Sequence, residues 1–336
     1  MKNIRVLFLL KKRSSYGISY GLKNSCGFIA NWLLLRKIES KVVEVIDAND
    51  IDREVYNYKP THVVIEAIWV TASKMEELIK LHPKIKWTVR VHSKIPFIAH
   101  EGFAIEWIRK YNELHTKYHH ITNSANSLEF IHEIKLALDI PIDYLPNIYC
   151  PEVYDEIQIN KNNNEIHVGS FGAIRPFKNQ LKQACAALYL ANLLNKKLFF
   201  HINFNRIETN GESIYHNMCA LFKNTEHKLV EHPWANHDDF IKLVKKMDIG
   251  LQVSYTETFN IVASDFCSNN IPIVGSSEID WLPMECQANP NSIEDIVDKM
   301  YVNYKDAGRL VKECKSNLDK YNKISSEIWM EWLNKK

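Results

Sequence analysis

The chain has 336 residues, 46% apolar and 24% charged, a balance that excludes intrinsic disorder and a length that points to two domains. Its most apolar early run, Val6 to Leu10, is cut off by Lys11, Lys12 and Arg13. A membrane span needs roughly 20 apolar residues, so no transmembrane helix is expected. With no small-residue cleavage site after that run, the protein is expected to be cytoplasmic. The net charge of +2 is unevenly shared: residues 1–150 hold 21 Lys and Arg against 16 Asp and Glu, and the rest hold 21 against 24. Seven scattered cysteines without a C-x-x-C pair argue against a disulfide framework and a structural zinc site.

In chain order, β-branched runs predict strands near Ile4 to Leu10, Val42 to Ile46, His62 to Glu66, Trp87 to His92 and His119 to Thr122. Helical periodicity predicts helices near Cys26 to Lys37, Ser73 to Leu81 and Ile105 to Glu113. Asp50 and Asp52 spell D-x-D, a metal motif elsewhere, but the stretch I-D-A-N-D-I-D-R-E reads as acids starting a helix. Pro151 and the polar run Lys161 to Asn164 break both periodicities and mark a linker over residues 150–165.

A second series follows, with strands near Ile166 to Phe171, Leu198 to Asn203, Lys228 to Glu231, Ile249 to Val253 and Pro272 to Val274. Its helices are expected near Gln180 to Leu194, Ser213 to Phe222, Asp238 to Met247 and Val262 to Ser268. The alternation predicts an α/β protein of two doubly wound, Rossmann-like domains, residues 1–150 and 165–315, facing a cleft. Residues 316–336 are expected to form a helix crossing back to the first domain, with Trp329 and Trp332 as core.

The stretch V-G-S-F-G-A-I-R-P-F-K-N-Q, residues 168–180, runs from a strand through glycines and cations into a helix. It places Gly169 and Gly172 where backbone approaches a ligand, and Arg175 and Lys178 beside a helix start that favours phosphate. A plain turn with solvated cations is the competing reading. Further on, Y-T-E-T-F-N-I-V-A-S-D puts Glu257 in a loop and Asp265 in the following helix, with the Phe259, Asn260 and Ile261 amides between them. Carboxylates suit sugar and ribose hydroxyls because each accepts several hydrogen bonds.

In combination these segments resemble the donor-binding half of the retaining GT-B glycosyltransferases with an E-x7-E motif, a family that includes bacterial phosphatidylinositol mannosyltransferases. The match comprises Gly172, Lys178 and Asn179, then Glu257 and Asp265, then the strand Ile271 to Gly275, with Pro146 and Asn147 as the turn before the linker. Two departures stand out. Ala173 occupies the family's Arg position, leaving phosphate compensation to Arg175 and Lys178, and Asp265 replaces the second Glu. The resemblance implies that His92, at a strand end, touches the donor sugar, and that Gly17 and Gly27 belong to the first loop and the helix it opens. A structural histidine, and turn and cap glycines, are the alternatives. Trp234 lies where the family's nucleobase pocket forms, or is a packed surface Trp.

The resemblance implies retaining, metal-independent transfer of a sugar from a nucleotide sugar, such as a UDP- or GDP-sugar, to a hydroxyl acceptor, with no other cofactor. The acceptor stays open between a saccharide and DNA. The stretch from His92 to Ile108 is similar to phage-encoded glycosyltransferases that modify hydroxymethylated pyrimidine bases, and Lys11, Lys12, Arg13 and Lys94 suit a phosphate backbone. Membrane-surface contact through Gly102 to Tyr111 competes with a helix packed on the sheet. A non-catalytic nucleotide-sugar-binding protein is the alternative from another class.

Overall fold

The computed structural model describes residues 4–12, 20–151, 162–208 and 210–335. Arg13, Gly17 and most of the expected linker lie outside the described residues. The chain divides into two compact units, one of Met1–Pro151 with Asn322–Lys336, the other of Glu152–Tyr321.

The first unit runs β1 (Arg5–Lys11), α1 (Tyr20–Leu35), β2 (Glu39–Val45), α2 (Asp50–Tyr58), β3 (His62–Glu66), α3 (Ala72–Leu81), β4 (Lys86–Val91), α4 (Ile95–Ile98), α5 (Ala104–Tyr118), β5 (Ile121–Ala125), α6 (Leu128–Leu138) and β6 (Asp143–Tyr144). Its six strands are parallel in the order β2-β1-β3-β4-β5-β6. Helices cover both faces, so β3 reads as an unbroken buried run rather than an alternating one. One face packs Leu7, Leu9, Val63, Ile65 and Trp87 among the helices, and the other packs Val6, Phe8 and Val64 against Trp329 and Trp332. The Trp329 indole also donates to the Pro146 carbonyl at 2.8 Å, so both tryptophans are core as expected.

The second unit runs β7 (Glu165–Gly169), α7 (Gln180–Leu193), β8 (Lys197–Asn203), α8 (Gly211–Phe222), β9 (Lys228–His232), α9 (His237–Val244), β10 (Ile249–Gln252), α10 (Ile261–Ser268), β11 (Ile273–Gly275) and α11 (Ile293–Lys305). Its parallel sheet has the order β11-β10-β7-β8-β9. A last helix, α12 (Ala307–Asn334), contributes residues to each unit.

Several local expectations meet a physical outcome here. The D-x-D acids are structural: Asp50 accepts from the Ile46 amide at 3.1 Å, and Asp52 meets the His82 imidazole at 2.7 Å. The Gly102 to Tyr111 stretch forms the start of α5, which buries Ala104, Ile108, Tyr111 and Leu114 on the sheet. No helix among the described residues is long and apolar enough to cross a membrane. Gly27 does not open a helix but lies inside α1, with open space where a Cβ would project.

Gly169 and Gly250 serve packing. A Cβ at Gly250 would sit 2.6 Å from the Phe266 ring, and one at Gly169 would sit 2.9 Å from it, so the bare backbone of β7 and β10 lets α10 settle onto the sheet. The expectation that Gly169 makes room for a ligand is corrected accordingly.

Opposite outcomes are expected for two glycine replacements. Gly27→Ala should stabilise the protein by about 0.5–1 kcal/mol, because alanine is the better helix former and meets no neighbour. Gly250→Ala should destabilise it by about 1–3 kcal/mol through overpacking against Phe266. Urea unfolding of both variants checks the contrast. Acid should also act through buried histidines. Burial, with Lys86 nearby, pushes the His62 pKa down to about 4, below its unfolded value, so its contribution is complete above pH 6.5 and is lost as pH falls toward 4. That window represents about 3 kcal/mol, and His62→Gln should flatten the fall in melting temperature across it.

Candidate functional site

In doubly wound sheets, ligands bind beyond the carboxyl ends of strands where the strand order reverses. In the second unit that point lies between β7 and β10, which are hydrogen-bonded neighbours with β8 and β11 on opposite sides. The loops leaving β7 and β10 carry Lys178 and Glu257, and the Lys178 ammonium forms an ion pair with the Glu257 carboxylate. The sequence separation is large, so backbone ties create the meeting. The Tyr255 amide donates to the Phe177 carbonyl at 2.8 Å. Asn179, in the left-handed region at φ 56°, donates to the Val253 and Pro290 carbonyls at 3.1 and 3.0 Å. Gln183 accepts from the Val253 amide at 3.1 Å and donates to the Lys178 carbonyl at 2.6 Å.

The pair is largely enclosed, with 13% and 10% side-chain exposure. Burial pulls the Lys178 pKa down, against the attraction of Glu257 and helped by the charge of Arg175. Burial opposes charge on Glu257 too, but Lys178 outweighs it and holds the carboxyl below its usual range. Gly172 sits beside the pair at φ 114°, a conformation that favours glycine, with Lys178 Cε 3.8 Å from where a Cβ would be. Its amide donates to Asn203 Oδ1 at 3.1 Å.

Arg175 meets Glu208 at 3.4 Å, and the same carboxylate holds Arg206 at 2.6 Å. Glu208 was not among the residues expected from sequence; nothing in its local pattern marks it, because the contact joins the loops after β7 and β8. At the start of α10, Asn260 accepts from the Ala263 amide at 2.9 Å and donates to Gln252 at 2.9 Å, in the left-handed region at φ 64°. Phe259 is buried, and its carbonyl accepts from the Trp281 indole at 2.9 Å. Ile261 opens the helix, whose first amides lack intrahelical acceptors.

Glu257 pairs with Lys178, whereas Asp265 pairs with His237. Asp265 is 1% exposed and engages His237 Nε2 at 2.8 Å, so it lies deeper than the expected open ribose contact. His237, another residue without a local sequence signal, is the first residue of α9, whose cap Asn236 accepts from the Asp239 amide at 2.9 Å. Trp234, just upstream, is fixed by its amide donating to Asn205 at 2.8 Å, and carries the Arg206 guanidinium 4.7 Å from its ring centroid. The loop that follows β9 thus presents an aromatic surface with one cation already on it.

The first unit holds its own polar cluster at the ends of β3 and β4. Arg90 and Glu66, both fully buried, pair at 3.2 Å. The Arg90 guanidinium also donates to the Leu145 carbonyl at 2.8 Å and Asn147 at 2.6 Å. His92 Nε2 pairs with Glu66, and its Nδ1 lies 3.5 Å from the Asn126 amide nitrogen. Burial opposes charge on Glu66, yet Arg90 and His92 hold it below the usual carboxylate range. His92 is therefore built into an internal network. Lys94 is corrected as a surface cation: it is buried and pairs with Glu129 at 2.6 Å, whereas Lys11 and Lys12 are exposed.

No family model matches the sequence, and no curated protein matches it significantly. Solved structures do match in fold. HepE of Anabaena, in complex with UDP-glucose, is 11% identical with a TM-score of 0.63, covering 98% of this chain and 100% of its own. A UDP-forming alpha,alpha-trehalose-phosphate synthase from Burkholderia xenovorans is 9% identical with a TM-score of 0.62, covering 99% of each chain. A trehalose-6-phosphate synthase described for glycosyl transfer with retention is 10% identical with a TM-score of 0.65, covering 99% of each chain. The chain has the GT-B fold of these proteins.

Removing one partner of an enclosed ion pair strands the other charge. Lys178→Met should therefore cost about 3 kcal/mol of stability, and adding Glu257→Gln should restore most of it. Equal unfolding midpoints for the single and double variants would show that the pair contributes no such coupling.

Proposed function

We propose that the protein is a retaining glycosyltransferase that moves a sugar from a nucleoside-diphosphate sugar to a hydroxyl acceptor. The observation that carries this reading is the enclosed Lys178–Glu257 pair at the switch point of a GT-B donor unit, beside the left-handed Gly172. In the free protein the two charges satisfy each other. With donor present, the diphosphate takes the Lys178 ammonium while sugar hydroxyls take the Glu257 carboxylate, so the ion pair parts around the bond that breaks. Negative charge then develops on the leaving diphosphate beside a cation already in place, which is electrostatic preorganisation. Arg175 adds charge once a phosphate competes with Glu208, and the first amides of α10 add dipoles.

These cations supply the compensation that a metal supplies in other transferases, so transfer is expected to persist in chelator. The UDP-glucose of HepE and the UDP-forming synthase favour a uridine donor, and the synthase described for retention favours that stereochemistry. For the acceptor we favour a saccharide hydroxyl over hydroxymethylated DNA, because Glu129 removes Lys94 from the cations that a phosphate backbone would meet.

A donor screen by thermal shift should show stabilisation by UDP or GDP and their sugars, since a ligand of the native state raises stability. Lys178→Met and Glu257→Gln should each lower transfer by about 10²- to 10³-fold, the usual loss when one transition-state charge contact is removed. Nucleotide-sugar affinity without turnover on any saccharide or hydroxymethylated duplex would instead identify a binding protein.

A further inference from the structure

We propose that a small cavity at the amino ends of β5 and β6 is a binding site for a primary ammonium group carried on a short alkyl chain. It lies at the opposite end of the first unit's sheet from His92 and is independent of the donor reading above. Strand β6 has only two residues and pairs with Ser124 and Ala125, so the start of β5 has no strand on that side. The cavity beside it has a volume of about 170 Å³, and His115, Asn123, Pro141, Ile142, Asp143 and Lys335 are among its lining residues. An apolar cavity of about 150 Å³ takes benzene, so the space suits a ligand of about six heavy atoms.

The polar groups on this cavity are held as acceptors. Asn123 is 2% exposed, and its Nδ2 donates to the Ile108 carbonyl at 3.2 Å. A carbonyl cannot donate in return, so the amide orientation is fixed and Oδ1 is the atom left over. That oxygen is buried without a hydrogen-bond partner among the described residues, and so is Asp143 Oδ2. His115 Nδ1 donates to the Ile121 carbonyl at 2.7 Å, which leaves Nε2 as the acceptor of the neutral ring. Buried acceptors ordinarily have partners, so two orphans on one small cavity call for a donor-rich group. An ammonium has three donors and no acceptor, matching one carboxylate oxygen, one amide oxygen and one imidazole nitrogen. No group of three His, Cys, Asp or Glu side chains among the described residues could hold a metal ion, which favours an ammonium over a metal cation. Lys335 shows the same preference from within the chain. Its ammonium donates to Asp143 Oδ1 at 3.1 Å from a 68% exposed position and leaves Oδ2 untouched. Pro141 and Ile142 supply an aliphatic wall for the carbon chain.

The amide NMR signals of residues 121–123 and 142–144 in the full chain test this without relying on turnover or on a nucleotide. Titrations belong at about pH 8, where an ordinary imidazole is neutral, in an amine-free buffer. Ethylammonium should shift these signals saturably with a dissociation constant of about a millimolar, near the ceiling for so small a ligand. Tetramethylammonium, with the same charge but no N–H, should leave them in place. Asp143→Asn should weaken ethylammonium by about tenfold or more, because a charge-assisted acceptor becomes a neutral one. Lys335→Met should tighten it by about two- to fivefold, because a like charge that competes for the same carboxylate is gone. The second variant changes an exposed side chain, so the test stands even where Asp143→Asn fails to fold. Equal shifts by both ammonium ions would reduce the effect to charge screening, and saturation by Mg²⁺ alone would make the cavity a metal site. Either result, or no shift with any of the three ions, overturns the proposal.

Discussion

The meeting of Lys178 and Glu257 depends on backbone geometry before it depends on charge. Lys178 leaves a short 3-10 turn after β7, and Glu257 leaves the loop after β10; neither loop would hold its side chain in place alone. The amide of Tyr255 bonding to Phe177, with Asn179 and Gln183 bridging to Val253, joins the two loops into one platform. Asn179 adopts its left-handed conformation to do so, a strain that its two side-chain hydrogen bonds offset. Because β7 and β10 are adjacent only in the doubly wound order, the charge pair is a product of topology.

Phe266 applies the same logic to the other side of the platform. Its ring needs glycine beneath it on both β7 and β10, and in return it brings α10 down until the Asn260 cap reaches Gln252 and Asp265 reaches His237. Local sequence choices and long-range packing therefore agree at this edge of the sheet, which is the consistency expected of a specified native state. A glycine that reads as a ligand approach is here a seat for an aromatic ring.

Much of this was legible in the sequence, and the limits have physical causes. The strands stand out because a parallel sheet covered on both faces needs continuous β-branched runs; β3 and α7 fall within a residue of the pattern. The strand expected near His119 begins at Ile121, because His119 takes a left-handed conformation that ends α5. Helices α6 and α11 escaped the reading although Ser127 and Ser292 cap them. The loop residues Gly172, Lys178 and Glu257 were legible by type and order. Their companions were not: Glu208 reaches Arg175 across 33 positions and His237 reaches Asp265 across 28. Such pairs exist only once the strands are ordered, and no local period encodes them.

Both sheets place a carboxylate–cation pair at the carboxyl end of a strand beside the reversal of strand order, Glu66 with Arg90 in the first and Glu257 with Lys178 in the second. Buried ion pairs of this kind add little net stability, because desolvation cancels most of the attraction. What separates the two is access. Glu66 and Arg90 have no exposed side-chain surface, and the guanidinium is further tied to Leu145 and Asn147, so the cluster acts as an internal brace. Lys178 and Glu257 keep a small exposed fraction, and the loops that carry them join through main chain, independently of the charges themselves. In the proposed function, the second pair is the one that exchanges its partner for a ligand without dismantling its support. The desolvation already incurred in folding then falls on the protein and not on the binding step, which is how an enclosed charge pair becomes a preorganised site.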